Sequence, residues 1–365
     1  MGHAYVTKRQ QGGASKRVIK HGSVTIEHVA AAVGVSRQTV SRVINNGPNV
    51  KPDVRVRVEA AIEHLGYVPN LSARRMGGGK SYLILAINDR ARTLENWQAG
   101  RGNDWVDQML YGGMTACEAH GYHMLFELVE TGHDVARRKL GDALSSLRPD
   151  GVILTPPHSE NPELVDLLAE RKIACATIGS SGPDGCVRVG MDEAAAATEA
   201  TRHLLDLGHR RIAFLAGSSA YGNTALRRNG FEAALAQVGP DSYGSVIKGD
   251  FNFERAAEAV SAIMVGGDRP TAIISENDEM SFAVLHVANR LGLSVPGDLS
   301  LISFEDTPGV RFSVPPLTAI RQPTAAMIGQ ACEKLIAIRD GVDARGDFIL
   351  PYELVVRSTT APPCA

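Results

Sequence analysis

At 365 residues the chain is too long for one compact core of ordinary size, and 44% apolar with 21% charged residues excludes a fibrous repeat or disorder along most of its length. The net charge of −2 says nothing about partners, but its distribution does: residues 1–80 hold 13 Lys and Arg against four Asp and Glu, and the remainder holds 25 against 36. A basic head on an acidic body fits a chain whose head alone meets a polyanion, although a solvated basic tail reads the same way.

In chain order, residues 1–23 are polar, Gly-rich and basic and are expected to form a disordered arm. They contain no apolar h-region, and no later apolar run is long enough to span a bilayer, so no membrane partner is expected. Residues 24–68 form a headpiece in which 24–66 read as three short helices. Thr25 N-caps the first, whose apolar face is Ile26, Val29, Ala30 and Val33. Gly34 supplies a tight turn, and Ser36 caps a second helix that buries Val40, Val43 and Ile44. Arg37, Gln38, Ser41, Arg42 and Asn45 then point outward. A third helix, Pro52 to Leu65, closes the small core. Residues 69–80 read as a short helix followed by a flexible link.

From Tyr82 the pattern changes. Seven short β-type runs (YLILAI, YHMLFELV, GVILTP, KIACATIG, RIAFLAG, TAIISEN and LSLISF) alternate with amphipathic helical stretches near 105–120, 133–147, 161–171, 192–207, 225–238, 253–265, 278–291 and 325–339. Continuous apolar strands alternating with helices predict parallel, doubly wound βαβ units. There are too many units for one minimal sheet, so two similar lobes with a crevice between them are expected over residues 81–365, with ligands off the carboxyl ends of the strands.

A helix, short turn and second helix displaying planar donors suit the major groove: Arg bonds guanine O6 and N7 together, and Gln or Asn does the same for adenine N6 and N7. A plain helical hairpin with a solvated face is the duller reading. In the body, a ligand pocket off the strand ends wants a few convergent polar groups and an aromatic plate. Asn277 and Glu305 end strands, Gln322 lies at a strand end near a crossover, and Trp105 opens the first helix of the body. Trp105 and Phe251 fit a core role equally well, Arg227 alternatively pairs with a surface acid, and Asp278 reads as the cap of the following helix. His203 and His209 flank a helix end, and HLLDLGHRR reads as a C-cap Gly with cations favoured by the helix dipole.

Other chemistry is not indicated. Gly79-Lys80-Ser81 resembles the end of a P-loop, but Arg74 stands where its first Gly belongs, and the segment precedes a strand instead of following one. There is no nucleophile elbow, dinucleotide fingerprint or metal-ligand cluster, so neither enzyme activity nor a cofactor is expected. The five cysteines (Cys117, Cys175, Cys186, Cys332 and Cys364) show no C-x-x-C spacing and read as mostly buried, reduced thiols of a cytosolic protein.

The headpiece resembles that of the LacI/GalR family of bacterial transcription regulators. The resemblance is carried by Val24-Thr25-Ile26, Val29-Ala30, Gly34-Val35-Ser36, Thr39-Val40-Ser41-Arg42-Val43, Asn45, Val58-Glu59-Ala60-Ala61 and Leu65-Gly66-Tyr67-Val68-Pro69-Asn70. In the body it is carried by HLLDLGHRRIAFLAG, RRNGFEAAL, GDF, PTAIISENDEMSFAVL, VPGDLSLISFEDT and PPLTAIRQP. It implies an all-α helix-turn-helix headpiece joined to a two-lobed α/β core similar to periplasmic binding proteins. Arg37 and Gln38 would choose operator bases. Thr25, Ser36, Ser41, Arg42, Asn45 and Asn49 would complete the DNA-contacting set. In the hinge, Ala73 would permit close approach and Met76 would wedge into a minor-groove base step, where leucine is commoner. The effector, most often a sugar or its derivative, would meet Trp105, Arg227, Phe251, Asn277, Glu305 and Gln322. The implied protein is a repressor binding pseudo-palindromic double-stranded DNA as a homodimer, with no leucine heptads for a larger assembly. Three departures put the effector's identity in doubt: Glu305 replaces the usual Asp, Gly179 stands where an acid is common, and the first βα loop, Asn88 to Asp104, is long.

Overall fold

The computed structural model describes residues 24–44, 47–67, 79–101, 103–179, 184–239 and 243–364. The expected arm, Asn45, and the hinge positions Ala73 and Met76 lie outside them. The chain divides into two compact units, residues 1–80 and 81–365.

In the first unit, α1 (Ile26–Val33), α2 (Arg37–Ile44) and α3 (Pro52–Leu65) enclose a core of Val29, Ala30, Val33, Val40, Val43, Val58 and Tyr67. Each boundary has a chemical cause. The Thr25 N–H donates to His28 Nδ1 at 3.1 Å at the start of α1, and the Ser36 hydroxyl accepts the Thr39 N–H at 3.1 Å at the start of α2. Gly34 (φ 71°) and Gly66 (φ 62°) end α1 and α3 in the left-handed region, where a side chain costs energy. Two arginines of α3 close the other helices: Arg57 donates to the Val33 carbonyl at 2.6 Å, and Arg55 donates to the carbonyls of Val43 at 3.4 Å and Gly47 at 3.2 Å.

The second unit holds two six-stranded sheets. The first lobe contains β1 (Leu83–Asp89), α4 (Arg90–Gln98), α5 (Asp104–Ala119), β2 (His123–Val129), α6 (His133–Leu147), β3 (Gly151–Leu154), α7 (Pro162–Glu170), β4 (Ala174–Ile178) and β5 (Val187–Gly190). The chain then builds the second lobe: α8 (Glu193–Asp206), β6 (Arg211–Ala216), α9 (Gly222–Ala236), β7 (Tyr243–Lys248), α10 (Phe253–Met264), β8 (Ala272–Ser275), α11 (Asp278–Arg290), β9 (Ser300–Glu305) and β10 (Thr318–Arg321). It returns to the first lobe for α12 (Thr324–Arg339) and β11 (Gly346–Ile349), and ends in the second with β12 (Glu353–Val355). Three connections therefore cross between lobes.

The first sheet runs β11-β5-β4-β3-β1-β2 and is parallel throughout. The second runs β12-β10-β9-β8-β6-β7 and is parallel except for β12. Helices cover both faces, which is why the strands read as unbroken apolar runs. Along β1, Ile84 and Ala86 pack towards α5 and α12, while Leu85 and Ile87 pack towards α6 and α7. Burying each large aliphatic chain contributes roughly 1.5–3 kcal/mol. Gly112 of α5 and Gly230 of α9 are spacers: a Cβ at either would strike the backbone of Ala325 or Ala194 on the neighbouring helix.

In each sheet strand order reverses beside the first strand of the lobe, β1 or β6. That leaves a crevice outside the strand ends where the next helices diverge.

Candidate functional site

On the headpiece, burial of Val40 and Val43 turns the opposite face of α2 outward. Arg37, Gln38 and Arg42 are exposed and Ser41 is half-buried. The caps Thr25 and Ser36 stand at the two helix starts, and Asn49 is exposed with φ 65° in the loop after α2. Arg37 pairs with Glu27 of α1 at 3.1 Å, both more than half exposed. Such a pair is worth only about 0–1 kcal/mol, so it orients the guanidinium while leaving it free to change partners.

In the second unit, the crevice is a cleft of about 450 Å³ at the strand ends. All six residues singled out from the sequence (Trp105, Arg227, Phe251, Asn277, Glu305 and Gln322) line it, and they come from both lobes. The dull and the functional readings of the aromatics combine: Trp105 packs on the first lobe's core and Phe251 on the second's, each with a side facing the cleft.

Arg227 is 2% exposed, so its alternative reading as a partner of a surface acid fails. Its Nε donates to Glu193 Oε2 at 2.7 Å and its NH1 to the Glu276 carbonyl at 3.0 Å, with the face of Phe304 4.5 Å away. Burial disfavours the guanidinium's charge, but Glu193 and Glu276 outweigh that and hold its pKa above the ordinary value. Glu276 is raised by burial, opposed by Arg227 and the Gly217 N–H. Two further acids interact. Burial lifts Asp278 to about 7 against hydrogen bonds from Ser303 and Thr307, and burial with Asp278 nearby lifts Glu305 to about 8.

Two expectations are corrected. The cap of α11 is Asn277, not Asp278: Asn277 has extended backbone and accepts the Met280 N–H at 2.9 Å, whereas Asp278 is already helical and its carboxylate turns to Ser303 and Thr307. This occupies Asn277 Oδ1 and leaves its amide N–H groups for a ligand. At the end of α8, burial works against the cationic form of His203 and His209. It lowers both pKa values, and the His209 ring bonds Thr271, Ser300 and the Ala361 carbonyl; Arg210 instead caps the Leu205 carbonyl at 3.0 Å.

The long first βα connection is no plain loop. It contains α4, capped by Asp89, and supplies Asp89, Arg92, Thr93, Asn96, Arg101 and Asn103 to the cleft. It also clasps the opposite lobe: Tyr221 donates to Asp89 at 2.8 Å, Asn252 to Glu95 at 2.9 Å, and Arg101 to Glu254 at 2.6 Å. The Gly222 N–H adds a bond to Glu160 at 2.9 Å. Sequence reasoning named none of these partners, since their pairing is visible only once the lobes face each other.

Among the described residues there is no group of His, Cys, Asp and Glu fit to hold a metal, and no helix long and apolar enough to cross a membrane. The cysteines are free, four buried and Cys364 exposed.

Comparison with known proteins converges on one family. Residues 25–70 match the profile "Bacterial regulatory proteins, lacI family" and residues 201–360 match "Periplasmic binding protein-like domain". Catabolite control protein A of Priestia megaterium is 30% identical over 345 residues, 93% of this chain and 99% of that protein. The complex of the transcriptional regulator CelR with cellobiose superposes with a TM-score of 0.67 at 28% identity, covering 92% of this chain and 99% of that one. The lac repressor dimer bound to operator and the anti-inducer ONPF gives a TM-score of 0.76 at 25% identity over 93% of this chain and 100% of that one. With its helix-turn-helix, its two-lobed core and this similarity along nearly the whole sequence, the chain belongs to the LacI family of bacterial regulatory proteins and is a DNA-binding transcriptional regulator, not an enzyme.

Proposed function

We propose that this regulator is a repressor that binds a pseudo-palindromic operator as a homodimer and is controlled by a small carbohydrate held in the cleft. The observation that carries the reading is the convergence of six side chains, singled out by the family resemblance and by ligand chemistry from scattered stretches of sequence, on one cleft between the lobes. Arg37 and Gln38 read base edges; Thr25, Ser36, Ser41, Arg42, Asn45 and Asn49 fix the headpiece on the duplex; and Ala73 and Met76 of the hinge enter the minor groove. Residues 1–23 act as the basic arm, 24–68 as the reading head, 69–80 as the hinge and 81–365 as the sensor and dimerisation unit, in the cytoplasm.

Two half-sites need two heads. Exposed apolar side chains on the core offer surface for a second copy of the chain: Phe312 (81%) and Val314 (92%) on the second lobe, Tyr111 and Met114 on the first. A ligand that binds the clasped lobes better than the parted ones shifts their balance, and the hinges follow. The test is selection from a random duplex library at physiological salt, then gel shifts with a panel of sugars. A two-fold symmetric site should emerge, with its affinity changed by at least one sugar. Failure to prefer any duplex over random competitor would end the proposal.

A further inference from the structure

We infer that the cleft is built for a carbohydrate bearing an ammonium group, such as an amino sugar, and that Glu305 receives that group. The inference rests on the reading of the cleft as the effector site and narrows it to one charge class. Seven carboxylates but only three arginines line the cleft, and each arginine is engaged within the protein. Arg227 pairs with Glu193 and Glu276; Arg92 lies 3.5 Å from Glu279; Arg101 reaches Glu254, Glu95 and Glu279. Among the described residues no basic side chain lies within ion-pair distance of Asp89, Asp278 or Glu305.

These three acids are not equivalent. Asp89 caps α4 and accepts the Tyr221 hydroxyl. Asp278 opens α11, where the helix's positive end meets it, and its two oxygens take the Ser303 hydroxyl and the Thr307 N–H. Among the described residues the Glu305 carboxylate takes one hydrogen bond, its Oε2 accepting the Asp278 N–H at 3.3 Å. It is held at φ 97°, a backbone conformation that side chains rarely adopt, at the end of β9 facing the cleft. Burial and the neighbouring Asp278 raise its pKa, and the more distant Arg227 and Arg92 oppose that only in part.

One more acceptor stands unspent in the same cleft: Asn96 Oδ1, on a residue 7% exposed, has no hydrogen-bond partner among the described residues. An ammonium brings three donors and no acceptor, and so matches unspent acceptors with nothing left over. A sugar carboxylate or phosphate would meet like charge. Trp105 and Phe282 offer aromatic walls for the ring's C–H face or for the cation itself.

The test is calorimetric titration and thermal shift of the full chain with matched mono- and disaccharide sets: glucosamine, N-acetylglucosamine, glucose and glucuronate, and chitosan-, chitin- and cellulose-derived dimers. The ammonium member of at least one set should bind about tenfold or more tighter than its neutral counterpart, and the anionic sugar should bind weakest. Glu305→Gln should collapse that preference and Glu305→Asp should keep it, while Trp105→Ala weakens charged and neutral members by similar factors. Tighter binding of a neutral or anionic member overturns the inference and leaves the effector reading standing. Absence of binding by every member overturns both.

Discussion

A guanidinium as buried as that of Arg227 persists only because two carboxylates and a carbonyl surround it. Arg227→Ala strands Glu193 and Glu276, themselves buried, without a cation. The expected loss is on the order of 3–5 kcal/mol, read by urea unfolding of the core; a loss below about 1 kcal/mol would mean the two acids escape by taking up protons. Arg227→Lys, which keeps the charge and loses the forked geometry, should fall between. Asp278 and Glu305 make the opposite kind of statement. Both fold with pKa values above the ordinary carboxylate range, about 7 and about 8, so the native state holds protons that the unfolded chain has released. Stability therefore declines as pH rises towards and through these values. The buried histidines His158, His203 and His209, lowered by burial, act below about pH 6.5 with the reverse slope. Thermal melts of the ligand-free chain between about pH 6.5 and 8.5 should show falling Tm, and Glu305→Gln should flatten the fall. A rising Tm would contradict the assignment. None of this was legible from residue identity. The family resemblance singles out Arg227 and a strand end singles out Glu305, but Asn277 and Asp278 are neighbours of equal capping ability, and only the backbone angles separate cap from first helical residue.

At the scale of elements, legibility followed hydrophobic pattern. Runs such as LILAI, buried on both faces, announced β1, and the helix boundaries of α5 to α12 lay close to their apolar periodicity. The structure adds β7 and the shorter β5, β11 and β12, which lie at or near sheet edges and in part carry half-exposed residues. It also adds α4, whose sequence RARTLENWQ has no apolar stripe to find, because its inward face is polar and meets the cleft. On α2 the outward face is polar for a different reason. If Arg37 and Gln38 read adjacent base pairs, changing both to Ala should cost about 1–3 kcal/mol per lost bidentate contact at the selected operator. It should also relax preference at those positions, measured by repeating the duplex selection. Arg42→Ala should weaken all sequences more evenly if Arg42 meets phosphate. An unchanged consensus after the double substitution would move base readout elsewhere on the headpiece.

At the scale of the molecule, the two units are separately cored, and on the proposed function only their thermodynamic coupling makes the chain a switch. Coupling of this kind is reciprocal: if a saturating ligand changes operator affinity by some factor, saturating operator must change ligand affinity by the same factor. Typical couplings of about 1–3 kcal/mol correspond to roughly 5–150-fold, well within reach of fluorescence anisotropy on operator and calorimetry on ligand. The two factors should agree for the full chain. A fragment comprising residues 81–365 should bind the ligand with the affinity of the DNA-free full chain, because every residue lining the cleft lies within that unit. On that proposal, the clasp between α4 and the second lobe is the element whose making and breaking would separate the two states. Its bonds from Arg101, Asn252 and Tyr221 exist only with the lobes together, so any ligand that favours that arrangement gains their free energy in one state and not in the other. If operator and ligand factors differ beyond error, binding at the cleft is not what sets DNA affinity, whatever the cleft holds.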